Sequence, residues 1–206
     1  MTARTDDPAQ RVDELARRYA GKDGADLLAS MVEREFPGRI ALVSSFGTEA
    51  AVLLALAAEV DPALPVIFLD TGKHFGETLR YRDKLVQRLG LTDVRSIKPD
   101  SASLRAEDSD GLLWSRAPDS CCFIRKVLPL RRALEGFDSW ITGRKRYQGG
   151  LRSALPVFES EDGKIKVNPL ASWSREQIEE EFAARKLPRH PLDAEGFVSI
   201  GCMPCT

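Results

Sequence analysis

Two four-residue apolar runs, Ile40-Ala-Leu-Val43 and Val66-Ile-Phe-Leu69, bracket a segment from Glu49 to Val60 that is hydrophobic on nearly all sides. Short continuous apolar runs read as strands buried on both faces, and a helix apolar all round belongs inside a core. The alternation continues along the chain. Glu77 to Leu89 reads as an amphipathic helix, with Leu79, Leu85, Val86 and Leu89 on its apolar side. Asp93 to Ile97, Ser139 to Ile141 and Ile165 to Val167 read as further strands. Phe123 to Leu134 reads as a helix kinked at Pro129, and Ser174-x-x-Gln177 as the capped start of a helix reaching about Arg185. Asp7-Pro8-x-Gln10 opens short helices over 8–35, which Pro37-Gly38 ends. The expected fold is α/β: a mainly parallel sheet flanked by helices.

The 206 residues suit a single domain, with an N-terminal helical segment over 1–38 and a core over 39–206. Thirty basic against 31 acidic residues leave a net charge of -1, so general nucleic-acid binding is not expected, and an anion would need a local basic patch. The longest apolar run, Ala50 to Ala58, is nine residues against the roughly 20 that a membrane span needs. No apolar signal segment follows Met1, so a cytoplasmic location is expected, with the four cysteines reduced.

Four places can carry chemistry. The turn Ser44-Ser45-Phe46-Gly47-Thr48 follows a strand and precedes the buried helix, where small residues let backbone N–H groups approach phosphate. It is neither G-x-G-x-x-G nor a Walker loop, and an ordinary turn is the competing reading. Asp70-Thr71-Gly72 ends the next strand; a plain turn is the simpler reading, but it should lie beside the first on one sheet edge. Arg144-Lys145-Arg146, with Arg152, follows another strand among Gly143, Gly149 and Gly150. Such a run is commonly a solvated face, yet convergent guanidinium groups suit phosphate or sulfate.

The fourth place is the cysteines. Cys121-Cys122 is followed, after 79 intervening residues, by Cys202-Met-Pro-Cys205. Four thiolates from two loops suit zinc or an iron–sulfur cluster. Adjacent Cα atoms lie only about 3.8 Å apart, which strains two bonds to one small ion, whereas a cubane offers the two sulfurs separate irons. Buried unligated cysteines and a C-x-x-C redox pair are the other readings, and neither accounts for the vicinal pair. His74 and His190 are isolated and read as structural; Trp114, Trp140 and Trp173 read as packing residues.

Ser44-Ser-Phe-Gly-Thr-Glu49, Leu69-Asp-Thr-Gly72, Cys121-Cys-x-x-Arg-Lys126, Thr142-Gly-Arg-Lys-Arg146, Lys166-Val-Asn-Pro-Leu170 and Ser199-Ile-Gly-Cys-x-Pro-Cys-Thr206 occur in this order. With them the chain resembles the assimilatory adenylyl-sulfate/phosphoadenylyl-sulfate reductases of the iron–sulfur type, over about residues 39–206. The resemblance implies an adenine-nucleotide alpha-hydrolase-like fold with a modified PP-loop at Ser44 to Glu49. That loop (Ser44, Ser45, Gly47, Thr48) and Leu69, Asp70, Thr71 and Gly72 would hold adenosine and its phosphate. Lys126, Gly143, Arg144 and Arg152 would surround the phosphosulfate. Cys121, Cys122, Cys202 and Cys205 would ligate a [4Fe–4S] cluster that tunes the site without taking the substrate electrons. A separate cysteine would attack sulfur, AMP would leave, and thioredoxin would reduce the S-sulfocysteine to release sulfite. Adenylyl sulfate is the expected substrate and a homo-oligomer the expected assembly.

The family pattern continues past C-x-x-C-Thr and ends in a Glu-Cys-Gly-(Leu/Ile)-His tail that bears the nucleophile. This sequence stops at Thr206, and its four cysteines all match the cluster ligands. The expectation is therefore a shortened form of a longer protein, with the nucleophile outside these residues. A nucleotide-binding cluster protein inert by itself is one alternative. A PP-loop ATP-dependent sulfur-transfer enzyme is another, disfavoured because Ser44 to Glu49 lacks a Ser-Gly-Gly-x-Asp-Ser pattern.

Overall fold

The computed structural model describes residues 7–197 and 199–206. Asp7 accepts a bond from the Ala9 N–H and Pro8 sits in the first turn, opening α1 (Pro8–Arg18). α2 (Gly24–Ser30) runs into a π-helical turn over Met31–Glu35. Then come β1 (Ile40–Val43), α3 (Ala50–Val60), β2 (Val66–Leu69), α4 (Gly76–Leu89) and β3 (Val94–Ile97). Three short helices follow, α5 (Ser101–Glu107), α6 (Leu113–Arg116) and α7 (Pro118–Cys122). A second π-helical turn, Phe123–Val127, joins α7 to α8 (Leu128–Ala133). The chain continues through β4 (Ser139–Ile141), β5 (Phe158–Glu161), β6 (Lys164–Val167) and α9 (Arg175–Ala184).

The six strands form one sheet in the order β3-β2-β1-β4-β6-β5. All neighbours are parallel except β5 and β6. Side chains alternate between the two faces. Ile40, Leu42, Val66, Phe68 and Ile141 join the larger core cluster with α3, α2 and α9. Ala41, Ile67 and Trp140 face the other way, under Leu130, Ala133 and Leu134 at the end of the cysteine-bearing helix. α3 is buried from Ala51 to Ala57, as its all-round hydrophobicity requires. The reciprocal Ser174–Gln177 capping box opens α9.

Two elements differ from the sequence reading. The helix around Pro129 is not a single α-helix with a kink. It runs from Pro118 to Ala133 with a π-helical turn just before Pro129, in the place where a proline takes away an N–H and crowds the preceding turn. Strand β5 was not anticipated. Its hairpin to β6 turns at Asp162-Gly163, both with positive φ (50° and 74°), and Asp-Gly is a favoured pair for such a two-residue turn.

Strand order reverses between β1 and β4: β2 and β3 lie to one side of β1, β4 and β6 to the other. A crevice opens beyond the carboxyl ends of strands at such a switch point.

Candidate functional site

A cavity of about 420 Å³ occupies this crevice. One wall is the turn after β1, with Ser44, Ser45, Gly47, Thr48 and Glu49; the other is the loop after β4, with Gly143, Arg144, Lys145, Gln148 and Arg152. Seven of the expected substrate residues therefore meet here: Ser44, Ser45, Gly47, Thr48, Gly143, Arg144 and Arg152. The lining carries three cations, Arg144, Lys145 and Arg152, and one carboxylate, Glu49, so it is locally cationic in a chain of net charge -1.

The first wall is shaped by its own side chains. The Phe46 N–H donates to Ser44 Oγ (3.1 Å) and the Gly47 N–H to Ser45 Oγ (3.4 Å). Phe46 takes a left-handed backbone (φ 53°), unusual for a bulky residue, and its buried ring packs edge-on against Phe68 at 5.6 Å. Thr48 Oγ1 is buried without a hydrogen-bond partner. A polar atom left unpaired beside a cavity suits a ligand that supplies the missing bond.

The second wall is held by acids and amides. Arg144 pairs with Glu159 of β5, and Glu159 also accepts from Asn168 Nδ2 at 2.8 Å. The Lys145 ammonium is buried and donates to Glu49 at 2.9 Å. Burial draws the Lys145 pKa down while Glu49 opposes it. Arg152 is exposed and donates to Gln148 Oε1 at 2.6 Å. Arg146 turns away and donates to the Leu155 carbonyl.

Lys126 and the four cysteines gather at a second, smaller cavity. Cys121, Cys122, Cys202 and Cys205 all line it, together with Lys73, Arg125 and Lys126. Lys126 thus stands with the cysteines rather than with Arg144 and Arg152. The turn after β2 also belongs to this side. Leu69 O accepts from His74 Nε2 at 2.9 Å, Asp70 Oδ1 accepts the Gly72 N–H, and Thr71 Oγ1 lies 3.2 Å from Cys202 Sγ. Gly72 has a φ of 68°. These four residues do not line the larger cavity; Arg125 and Cys202 both engage Thr71 of their turn.

Arg125 fixes that arrangement. It donates to the Thr71 carbonyl at 2.7 Å and pairs with Asp108, both side chains being buried. Burial pushes the Cys121 thiol up; Arg125 opposes this, and Cys122, Asp108 and Cys202 add to it. An antiparallel bridge joins His74 to Cys202, and the Met203 N–H donates to the Lys73 carbonyl at 2.8 Å. Ser199 and Ile200 border the larger cavity while Cys202 and Cys205 border the smaller, so one segment serves both. Among the described residues, no three His, Cys, Asp or Glu side chains are arranged to hold a single metal ion.

His190 is buried between Thr78 Oγ1 and the Leu192 N–H, and burial pushes its pKa down, which suits a neutral structural imidazole. Trp140 and Trp173 are core residues, and Trp114 packs beside Cys121. The sequence places Glu49 only at the end of the PP-loop motif and gives no role to Gln148, Glu159 or Lys73. Lys145 lies 96 positions beyond Glu49, and no local pattern announces such a pair.

A protein-family model, the phosphoadenosine phosphosulfate reductase domain, matches residues 39–206. An adenosine 5'-phosphosulfate reductase of Mesorhizobium japonicum is 47% identical over 201 residues, covering 94% of this chain and 79% of that protein. A phosphoadenosine 5'-phosphosulfate reductase of Gloeobacter violaceus is 36% identical over 215 residues, covering 100% of this chain and 89% of that protein. The crystal structure of a phosphoadenylyl-sulfate reductase from Candida auris, in a phosphate complex, superposes with a TM-score of 0.79 at 27% identity and 95% coverage of both chains. The two-cavity arrangement at the switch point thus sits in a chain that belongs to the phosphoadenosine phosphosulfate reductase family.

Proposed function

We propose that this chain reduces adenylyl sulfate to sulfite and AMP, with thioredoxin as electron donor. The observation that carries the reading is the pairing of two cavities along one segment: a cationic nucleotide-sized crevice beside a small cavity that all four cysteines line. The name of the 47%-identical relative favours adenylyl sulfate over its 3'-phosphorylated form.

In this reading the Ser44–Thr48 turn and the start of α3 receive the phosphate, and Arg144 and Arg152 neutralise the phosphosulfate oxygens. Cys121, Cys122, Cys202 and Cys205 would hold a [4Fe–4S] cluster. The donor set fits: four thiols face one cavity, and Lys73, Arg125 and Lys126 offset the negative charge of a thiolate-ligated cluster. When bound, the group supplies a fixed charge beside the sulfate.

With all four cysteines engaged there, the attacking thiolate would come from a further cysteine of the kind that the family's Glu-Cys-Gly-(Leu/Ile)-His tail bears. Its sulfur would bond to the sulfate sulfur as the S–O bond to phosphate breaks, and AMP would leave with that electron pair. A thioredoxin thiolate would then attack the resulting S-sulfocysteine at the cysteine sulfur. Sulfite would leave, and the mixed disulfide would resolve to oxidised thioredoxin.

The test uses residues 1–206 with and without an appended Glu-Cys-Gly-Leu-His tail. Both forms are expected to bind adenylyl sulfate. Only the tailed form is expected to gain a sulfite-sized mass and to release sulfite under thioredoxin. Thioredoxin-dependent turnover by the untailed chain would overturn the mechanism.

A further inference from the structure

Glu49 stands immediately before α3 and is the one carboxylate among the described residues that line the larger cavity. Three donors from a single loop converge on it. Lys145 Nζ and Gln148 Nε2 each reach Oε2 at 2.9 Å, and the Tyr147 hydroxyl reaches Oε1 at 2.6 Å. Gln148 is bonded on both sides: its Oε1 accepts Arg152 Nη1 at 2.6 Å and the Lys145 N–H at 3.3 Å. Only 2% of the Lys145 side chain is exposed, so water cannot stand in for the carboxylate. The Arg175 guanidinium lies over the Tyr147 ring, 5.3 Å from its centroid, and backs the loop from α9.

We infer that Glu49 is a positioning residue: it clamps the loop 145–152 onto the start of α3 and, through Gln148, holds the Arg152 guanidinium toward the anionic part of the ligand. Burial would by itself push the Glu49 carboxyl up. The Lys145 ammonium and the bonds from Tyr147, Lys145 and Gln148 outweigh it and keep the group ionised. Removing the carboxylate strands a buried ammonium and frees Gln148, so the loop loses its attachment although no ligand contact of its own has been deleted.

The inference rests on the reading that the crevice takes an adenine nucleotide, and calorimetric titration of AMP and of adenosine separates the two. Glu49→Ala is expected to weaken AMP binding about tenfold while leaving adenosine within about twofold. Glu49→Gln, which keeps an amide oxygen for one donor, is expected to fall between the wild type and the alanine variant. It carries the same comparison should the alanine variant not fold. The Glu49→Ala/Arg152→Ala double variant is expected to bind AMP within about twofold of Arg152→Ala alone, because the two act as one unit. AMP affinity unchanged in Glu49→Ala, or fully additive losses, would overturn the positioning role. An equal loss of adenosine and AMP would overturn it too, by showing a collapsed cavity. A wild type that binds neither ligand would instead overturn the reading of the crevice, and the inference with it.

Discussion

At the residue scale, Arg144, the proposed anion ligand, is already paired with a protein anion. Its guanidinium pairs with Glu159, which Asn168 and the β5 hairpin hold in place. A phosphate or sulfate entering the crevice has to compete with that carboxylate. Arg144→Ala should weaken AMP binding about tenfold, the effect of one charge-assisted bond in a sheltered site. Glu159→Gln should tighten it a few-fold by ending the competition. Both are read from AMP titrations, and equal affinities in all three proteins would show that Arg144 stays on its partner throughout. Arg144 was legible in the sequence, as a cation among glycines at the end of an apolar run. Glu159 was not, because it lies on a short strand, Phe158–Glu161, with a single apolar residue and no run to mark it.

At the scale of elements, α1 is fastened to the π-helical turn that follows α2. Glu35 accepts bonds from Arg11, Arg18 and Tyr19, the last two at 2.7 Å, although only 7% of its side chain is exposed. Burial alone would raise the Glu35 pKa; the Tyr19 and Arg18 bonds and the Arg11 charge hold it below the ordinary carboxylate value. A carboxylate whose folded pKa is depressed stabilises fully above its unfolded value, about 4.3, and the contribution fades as pH falls through the folded value. Glu35→Gln should therefore lower stability by about 2 kcal/mol at neutral pH. The gap between variant and wild type should close in acid, below about pH 4. Thermal melts across pH check this, and a gap that widened in acid would reverse the assigned sign. The helices here were legible from Asp7-Pro8 and Pro37-Gly38, but their fastening was not: it depends on side chains 17 and 24 positions apart meeting on one carboxylate.

At the scale of the molecule, two segments remote in the chain close one cavity. The loop bearing Cys202 and Cys205 is tied to residues 71–74 by the Thr71–Cys202 contact, the His74–Cys202 bridge and the Met203–Lys73 bond. If a cluster occupies that cavity, Cys121→Ser should lose iron and acid-labile sulfide from the anaerobically purified protein. It should also raise the hydrogen-exchange rate of the Met203 amide, although Met203 follows the replaced residue by 82 positions. Full iron and sulfide in the variant would remove Cys121 from the ligand set. The parallel sheet and the two cysteine pairs were legible because apolar runs and the spacing within each pair are local. The division of labour between two cavities was not. Lys126 lines the cysteine cavity and Thr71 touches Cys202, contacts that depend on the folded path of Arg125 and the C-terminal segment and that no local pattern marks.

The buried ring of Phe46 has a thermodynamic consequence for the crevice. A left-handed backbone at a bulky residue is strained, and here it persists because the ring is locked against Phe68 in the core. The turn that would receive the phosphate is therefore ordered during folding, not during association. The entropy of ordering its backbone is charged to the stability of the protein and drops out of the affinity for its ligand. The heat-capacity change of binding should then report the apolar surface that ligand and crevice cover together, without a contribution from a loop folding around the guest.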